Sequence, residues 1–160
     1  MPNRLLPKKV FFTKGIGIAK DPLLSFEHAL RDAKIEKFNL VPVSSILPPK
    51  VKIVSLEEGL KELKTGQIVF CVLSRFTSNK KGKEIFSSVG VAIPKNKNVN
   101  GYLTEYHGYY SKKAEGHAMK MAKIMLETNL NEECEENFEI FNKAKVKDYT
   151  TVISAAIFIL

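Results

Sequence analysis

Apolar residues recur along the chain at two spacings, one typical of helices and one typical of strands. The helical spacing predicts three helices, at residues 22 to about 35, 55–66 and 111 to about 127. Asp21 is the expected N-cap of the first helix, and Ser111 that of the third. The second opens on a Ser-x-x-Glu capping box, Ser55 with Glu58, and closes on Gly66. Each helix therefore has one apolar face to pack against another layer.

The remaining apolar runs favour strands, at residues 9–13, 38–43, 67–76, 84–94, 101–110, 138–142 and 150–160. The turn-forming TSNKKGK between two long runs predicts a hairpin. The KGIGIAK stretch after the first run reads as a loop, and its Gly-x-Gly lacks the third glycine of a dinucleotide fingerprint. The closing run has no alternation, which is typical of a central strand covered on both faces. These elements predict a mixed α/β (α+β) domain with helices on one or both faces of antiparallel-rich sheets.

Composition and charge restrict the class of protein but do not indicate a function. The 160 residues suit a single domain, and 44% hydrophobic with 26% charged residues is ordinary for a globular protein. Cys71 and Cys134 form neither a metal-ligand spacing nor a disulfide framework, so a reducing cytoplasm is expected. No apolar run predicts a membrane span, and the N-terminus does not read as a signal peptide. The net charge of +8 comes mainly from scattered lysines, which leaves a basic nucleic-acid-binding domain open although no recognition motif accompanies them.

Candidate chemistry lies in the segment FNLVPVSSILPPK, where two adjacent serines follow a predicted strand. A Ser-Ser pair alone is ordinary turn material. Ser44 and Ser45 differ because two prolines follow almost at once and stiffen the corner. A stiff peptide with a hydroxyl beside a carbonyl is what an intramolecular acyl shift requires. Asn39, five residues upstream, offers an amide donor to the developing oxyanion.

The same segment is the most specific part of a family resemblance. The stretches KGIGIAKDPLLSFEHALRDAKIEKFNLVPVSSILPP, GQIVFCVLSR, VGVAIPKNK and GYLTEYHG resemble, in this order, the pyruvoyl-dependent arginine decarboxylase family. The resemblance runs from about Val10 to the helix after Ser111. Its frame Asn-Leu-x-x-x-Ser-Ser-Ile-x-Pro-Pro is similar to the family's self-processing site.

The resemblance implies that the protein itself breaks the bond between Ser44 and Ser45. The Ser45 hydroxyl attacks the Ser44 carbonyl, and the peptide becomes an ester. β-Elimination then releases the Ser44 carboxylate and leaves dehydroalanine at position 45. Hydrolysis with loss of ammonia leaves a pyruvoyl group at the start of chain 45–160, and residues 1–44 form the second chain of the same domain. This pyruvoyl group is the expected cofactor, with no pyridoxal phosphate and no metal.

The resemblance also assigns roles to two acidic residues. Glu105, in TEYHG, would return a proton to the substrate α-carbon, which requires a carboxylic acid that stays protonated near neutral pH. Glu27, in LLSFEHAL, would face the substrate guanidinium. On their positions alone, Glu105 is an outward residue of an alternating strand and Glu27 a solvent-facing helix residue. The three histidines suit neither a zinc site nor a Ser-His dyad, and no role is predicted for them.

The family resemblance also implies a fold, an oligomeric assembly and a substrate. The family has an αββα sandwich of mixed, largely antiparallel sheets, and assembles as trimers, sometimes paired into hexamers, with active sites between subunits. The expected function is the cytoplasmic conversion of L-arginine to agmatine and CO₂, an entry to polyamine synthesis, with neither nucleic acid nor membrane as partner. Some members carry aspartate where this chain has Glu27, and paired serines in the loop before it. The alternatives are therefore a pyruvoyl decarboxylase of another amino acid, or a homologue that processes poorly.

Overall fold

Nine strands and three α-helices form four layers in residues 4–160, the part of the chain that the computed structural model describes. The strands are β1 (Lys9–Ala19), β2 (Asn39–Pro42), β3 (Ile46–Leu47), β4 (Lys52–Ile53), β5 (Ile68–Ser78), β6 (Glu84–Pro94), β7 (Gly101–Tyr109), β8 (Cys134–Lys145) and β9 (Tyr149–Ile159). The helices are α1 (Pro22–Asp32), α2 (Leu56–Lys61) and α3 (His117–Leu130).

The strands form two sheets that face each other. The five-stranded sheet has the order β2-β5-β9-β1-β4, and the four-stranded sheet has the order β3-β7-β6-β8. Helix α1 packs on the outer face of the first sheet and α3 on the outer face of the second. Pairs β1–β4 and β2–β5 are parallel, and the other pairs are antiparallel. The predicted αββα sandwich with mixed, largely antiparallel sheets is confirmed.

The closing run is the central strand of the larger sheet, as predicted. Strand β9 lies between β5 and β1, and its residues from Thr150 to Ile159 are all buried. Ile153 and Ile157 pack beneath helix α1, whereas Ala156 belongs to the core between the sheets. Both faces of the strand are covered, so an apolar residue is favourable at almost every position.

Strand β1 continues through the GIGI segment, and the predicted loop there is wrong. A Cβ atom at Gly15 would lie 2.2 Å from the carbonyl oxygen of Ala29, and one at Gly17 would lie 2.0 Å from that of Ser25. The glycines therefore allow the backbone of α1 to lie directly on the strand, which a larger side chain would prevent.

The predicted hairpin between the two long apolar runs is also wrong. Strand β5 pairs with β2 and β9, whereas β6 pairs with β7 and β8 in the opposite sheet. A connection of five residues is long enough to cross the roughly 10 Å between packed sheets. A turn-forming segment reverses the chain in either arrangement, so it does not decide which sheet the next strand joins.

Helix starts agree with the sequence where a side chain caps the helix, whereas the predicted end of the second helix at Gly66 is wrong, because α2 ends at Lys61. The Asp21 carboxylate accepts a hydrogen bond from the Leu24 amide at 3.0 Å, and helix α1 begins as predicted. Ser111 makes no capping bond, and only a short 3₁₀ turn follows it. Helix α3 begins later, after Gly116 at a φ of 78°, and the Glu139 carboxylate accepts the Gly116 amide at 2.7 Å. This cap comes from β8, which begins at Cys134, four residues before the predicted strand at 138–142.

Candidate active site

The chain passes from one sheet to the other at Ser44 and Ser45. Before the crossover, β2 pairs with β5, and the Val43 amide donates to the Cys71 carbonyl at 2.8 Å. After it, β3 pairs with β7, and the Ser45 carbonyl accepts the Leu103 amide at 2.9 Å. The peptide bond between the serines is thus held from both ends by different sheets. The prolines were expected to make this corner rigid, and the two backbone hydrogen bonds restrain it further.

The two residues predicted to carry the chemistry meet directly. The Ser45 hydroxyl donates a hydrogen bond to Glu105 Oε2 at 2.6 Å, and both side chains are half-buried. Leu103, two residues before Glu105, packs in the core between the sheets, whereas Thr104 donates to the Ala118 carbonyl of α3. Since side chains alternate along a strand, Glu105 points inward on the same face as Leu103. The interpretation of Glu105 as an outward residue, made from its position alone, is wrong.

The Ser44 side of the crossover borders an open pocket of about 380 Å³. It is lined by Leu5, Pro7, Val43, Ser44, Ile46, Pro48, Phe70 and Phe158. None of these side chains carries a charge, so a carboxylate placed here would lose hydration without gaining an ionic partner.

Asn39 lies apart from the crossover in the same chain. It occupies the start of β2, and a strand rises about 3.3 Å per residue, so it is about 10 Å from Pro42 along the strand. Its Nδ2 donates to the Gly66 carbonyl at 2.8 Å. Asn39 also lines an open pocket of about 500 Å³ with Phe26 and Arg75. Its predicted oxyanion role stays a prediction.

Glu27 follows Phe26, which lines that second pocket, and it already has a cationic neighbour. Its Oε2 is 2.5 Å from Nε of Arg31, one helical turn later, in a contact that lacks hydrogen-bond alignment. The Glu27 side chain is 38% exposed, so it is neither fully solvent-facing nor buried. Arg75 stacks over the Phe26 ring at 4.2 Å. Nothing in the local sequence pattern distinguishes Phe26 and Arg75 from ordinary helix and strand residues, so their place at this pocket is visible only in the structure.

Other reactive groups lie away from the crossover or are inert. Burial raises the pKa of the Cys71 thiol to about 12, so it stays protonated near neutral pH. His107 stacks on Phe76, and Tyr106 makes an edge contact with His117. Within residues 4–160, no three His, Cys, Asp or Glu side chains are grouped so that they could share a metal ion. No helix in this range is long and apolar enough to cross a membrane.

The two-sheet sandwich is the fold of a pyruvoyl-dependent decarboxylase. A solved structure of a pyruvoyl-dependent histidine decarboxylase at pH 8 superimposes with a TM-score of 0.51 at 14% sequence identity. The match covers 61% of this chain and 53% of that chain, so it concerns the fold alone.

Sequence comparison defines the family more narrowly. The family described as "Pyruvoyl-dependent arginine decarboxylase (PvlArgDC)" matches residues 9–160. Pyruvoyl-dependent arginine decarboxylase 1 of Archaeoglobus fulgidus is 59% identical over 157 residues, which cover 98% of this chain and 100% of that protein. The similarly named protein of Methanosarcina mazei is 53% identical over 165 residues and covers both chains fully. This chain belongs to the pyruvoyl-dependent arginine decarboxylase family.

Membership confirms the predicted function at the level of the family. It is a family of carboxy-lyases with a pyruvoyl cofactor in place of pyridoxal phosphate. The match extends through the end of the chain, where the resemblance was less clear from the sequence alone.

Proposed function

We propose that this chain cleaves itself between Ser44 and Ser45, and that the product is a cytoplasmic enzyme that converts L-arginine to agmatine and CO₂. The observation that carries the proposal is the 2.6 Å contact between the Ser45 hydroxyl and Glu105 at the crossover. A hydroxyl, an adjacent backbone carbonyl and a carboxylate together supply what the cleavage and the later proton transfer require.

In the cleavage, Ser45 Oγ attacks the Ser44 carbonyl carbon, the bond from that carbon to the Ser45 nitrogen breaks, and the hydroxyl proton ends on the freed nitrogen. The peptide bond is thereby exchanged for an ester. The Glu105 carboxylate, as acceptor of the Ser45 hydroxyl, orients this group before attack. Elimination of the Ser44 carboxylate then separates residues 1–44 from residues 45–160. Both new ends stay in place in a single domain, because β2 remains paired with β5 and β3 with β7.

In the decarboxylation, the pyruvoyl group at position 45 supplies an electron sink for the bond that breaks. Residue 45 is held at that point by its carbonyl bond to the Leu103 amide. Glu105 reaches the side chain of residue 45 and is therefore placed to give a proton to the substrate α-carbon.

We further propose that Asn39 and Glu27 complete the site of a neighbouring subunit in a trimer, alone or paired into a hexamer. Asn39 begins β2, whereas Ser45 follows the far end of that strand in the same chain. Val41, Val43 and Ile46 flank the crossover and are 38%, 37% and 46% exposed. Clustered exposed apolar groups are typical of an interface. L-Arginine would then be held between Glu27 of one subunit and position 45 of the next.

Two measurements test the proposal. The intact mass of freshly purified protein should show two chains, and CO₂ release should be measured with arginine, lysine, ornithine and histidine. Cleavage with release from arginine above the others supports the function as proposed. Cleavage with another preferred substrate would leave a pyruvoyl decarboxylase of a different amino acid. An intact chain with salt-sensitive oligonucleotide binding would instead favour the nucleic-acid alternative.

A further inference from the structure

Strand β7 carries Glu105 along a sheet edge that is only partly covered. On one side, β6 pairs with β7 from Tyr102 to Tyr109. On the other side, β3 covers Gly101 and Tyr102, and the last backbone bond there joins the Leu103 amide to Ser45. In the described part of the chain, no strand covers this side of β7 at Glu105 or beyond. A strand with one partner has less to resist local movement than a strand with two.

Ser74 contacts this edge from the opposite sheet. It lies on β5 and is 1% exposed, and its hydroxyl donates to the Tyr106 carbonyl at 2.6 Å. A buried hydroxyl is unfavourable unless it is hydrogen-bonded. The bond satisfies Ser74 and fixes the backbone of the residue directly after Glu105.

We infer that Ser74 is a positioning residue for decarboxylation, which acts by holding β7 so that the Glu105 carboxyl meets the side chain at position 45. The inference rests on the proposed role of Glu105. Displacement of a catalytic group by about 1 Å costs on the order of a hundredfold in rate. A single bond that restrains the backbone beside that group is therefore a sensitive point, although Ser74 touches neither substrate nor cofactor.

Self-cleavage depends less on this restraint. The attacking hydroxyl and the attacked carbonyl belong to adjacent residues, Ser45 and Ser44. The backbone positions of both residues are set by the anchors of Val43 and Ser45 to Cys71 and Leu103, and Glu105 adds only the orientation of the Ser45 hydroxyl. None of these anchors includes the edge of β7 beyond Leu103. Loss of the Ser74 hydroxyl should therefore separate the two activities.

A matched control lies on the same pair of strands. Ser78 is buried on β5, and its hydroxyl is 3.0 Å from the Tyr109 hydroxyl of β7. Ser78→Ala removes the same group from the same strand, but it frees the Tyr109 side chain instead of the Tyr106 backbone and also removes the acceptor of the Lys80 amide. Ser74→Cys keeps nearly the volume of Ser74 and offers a weak donor.

The experiment compares Ser74→Ala, Ser74→Cys, Ser78→Ala and wild type by three readouts. These are self-cleavage followed by intact mass, kcat and KM for arginine, and hydrogen exchange of the amides of residues 105–107. In Ser74→Ala we expect cleavage within about threefold of wild type, kcat lower by at least about tenfold, KM changed by less than about twofold, and faster exchange. Ser78→Ala should keep kcat within about twofold, and Ser74→Cys should lie between Ser74→Ala and wild type.

An unchanged kcat in Ser74→Ala would overturn the inference, as would an equal loss in Ser78→Ala or a loss confined to KM. If Ser74→Ala does not fold, Ser74→Cys takes its place. An unchanged kcat in Ser74→Cys, a loss equal to that in Ser78→Ala, or a loss confined to KM would then overturn the inference. Failure of the proposed function has a different signature, because wild type itself would stay intact or would not release CO₂. In that case, an unchanged rate of amide hydrogen exchange at residues 105–107 in Ser74→Cys would still refute the claim that Ser74 restrains the β7 backbone.

Discussion

The Ser45 hydroxyl donates a 2.6 Å hydrogen bond to the Glu105 carboxylate, although 60 positions separate the two residues in the chain. Ser45 begins the segment that joins the four-stranded sheet, and Glu105 lies on the inner face of β7 in that sheet. One carboxylate therefore lies beside the atom proposed to start cleavage, at the position that would later carry the cofactor.

Replacing Ser45 by alanine should leave one chain of 18.0 kDa. The substitution removes the attacking oxygen but keeps the backbone carbonyl that bonds to Leu103, so the fold should be retained. Wild type should give chains of roughly 5 and 13 kDa, the larger blocked to N-terminal sequencing. Intact mass spectrometry reads both results. A cleaved Ser45→Ala protein would show that another group attacks.

Glu105→Gln should still cleave but should decarboxylate arginine more slowly, on the order of 10²–10⁴-fold. Glutamine keeps the shape and still accepts the Ser45 hydroxyl, but it has no acidic proton to deliver. Single-turnover measurements on the cleaved variant separate this step from product release. Turnover equal to wild type would remove Glu105 from the mechanism.

Glu27→Gln should lower kcat/KM for arginine on the order of a hundredfold and leave cleavage unchanged. The length of the side chain is kept, and the negative charge proposed to face the substrate guanidinium is lost. The variant should also lose its preference for arginine over citrulline, which has a similar shape without the charge. Unchanged kinetics and preference would mean that the guanidinium partner lies elsewhere.

Arg31→Met should have the opposite effect, a rise in kcat/KM for arginine. The Arg31 guanidinium contacts Glu27 at 2.5 Å, so a substrate guanidinium competes with the same chemical group for this carboxylate. Exposed ion pairs contribute about 0–1 kcal/mol, which limits the gain to about fivefold. Steady-state kinetics of Arg31→Met and of the Glu27→Gln, Arg31→Met double variant provide the check, since the gain requires Glu27.

The Cys71 thiol should make the free energy of unfolding fall in alkaline solution. Its folded pKa of about 12 lies above that of an unfolded thiol, about 8.5, so the folded state keeps a proton that the unfolded state loses. The contribution is complete below about pH 8.5 and is lost as pH rises towards 12, by up to about 1.4 kcal/mol per pH unit. Urea unfolding at pH 8 and pH 10 should show a smaller decrease in Cys71→Val. Equal decreases would assign the effect to other groups.

The sequence by itself determined features whose cause lies within a few residues. Asp21 caps α1 and the Ser55 hydroxyl accepts the Glu58 amide at 3.2 Å, because a cap joins residues three positions apart. The unbroken apolar run of β9 predicted a central strand, since a strand covered on both faces has no polar side. The Ser-Ser-Ile-x-Pro-Pro frame is also a local pattern, and the family resemblance that it carries indicated the proposed cleavage site between Ser44 and Ser45.

The tertiary structure alone decided which distant segments meet. The turn between β5 and β6 is compatible with a hairpin or a crossover, and only the packing of the two sheets selects the crossover. Gly15 and Gly17 lie in a strand that pairs with β9, and they allow helix α1 to pack directly against it. Neither contact is visible in the local sequence pattern. Glu105 and Ser74 acquire their positions from strands far apart in sequence, since side-chain contacts across a sandwich depend on sheet order and strand direction rather than on spacing along the chain.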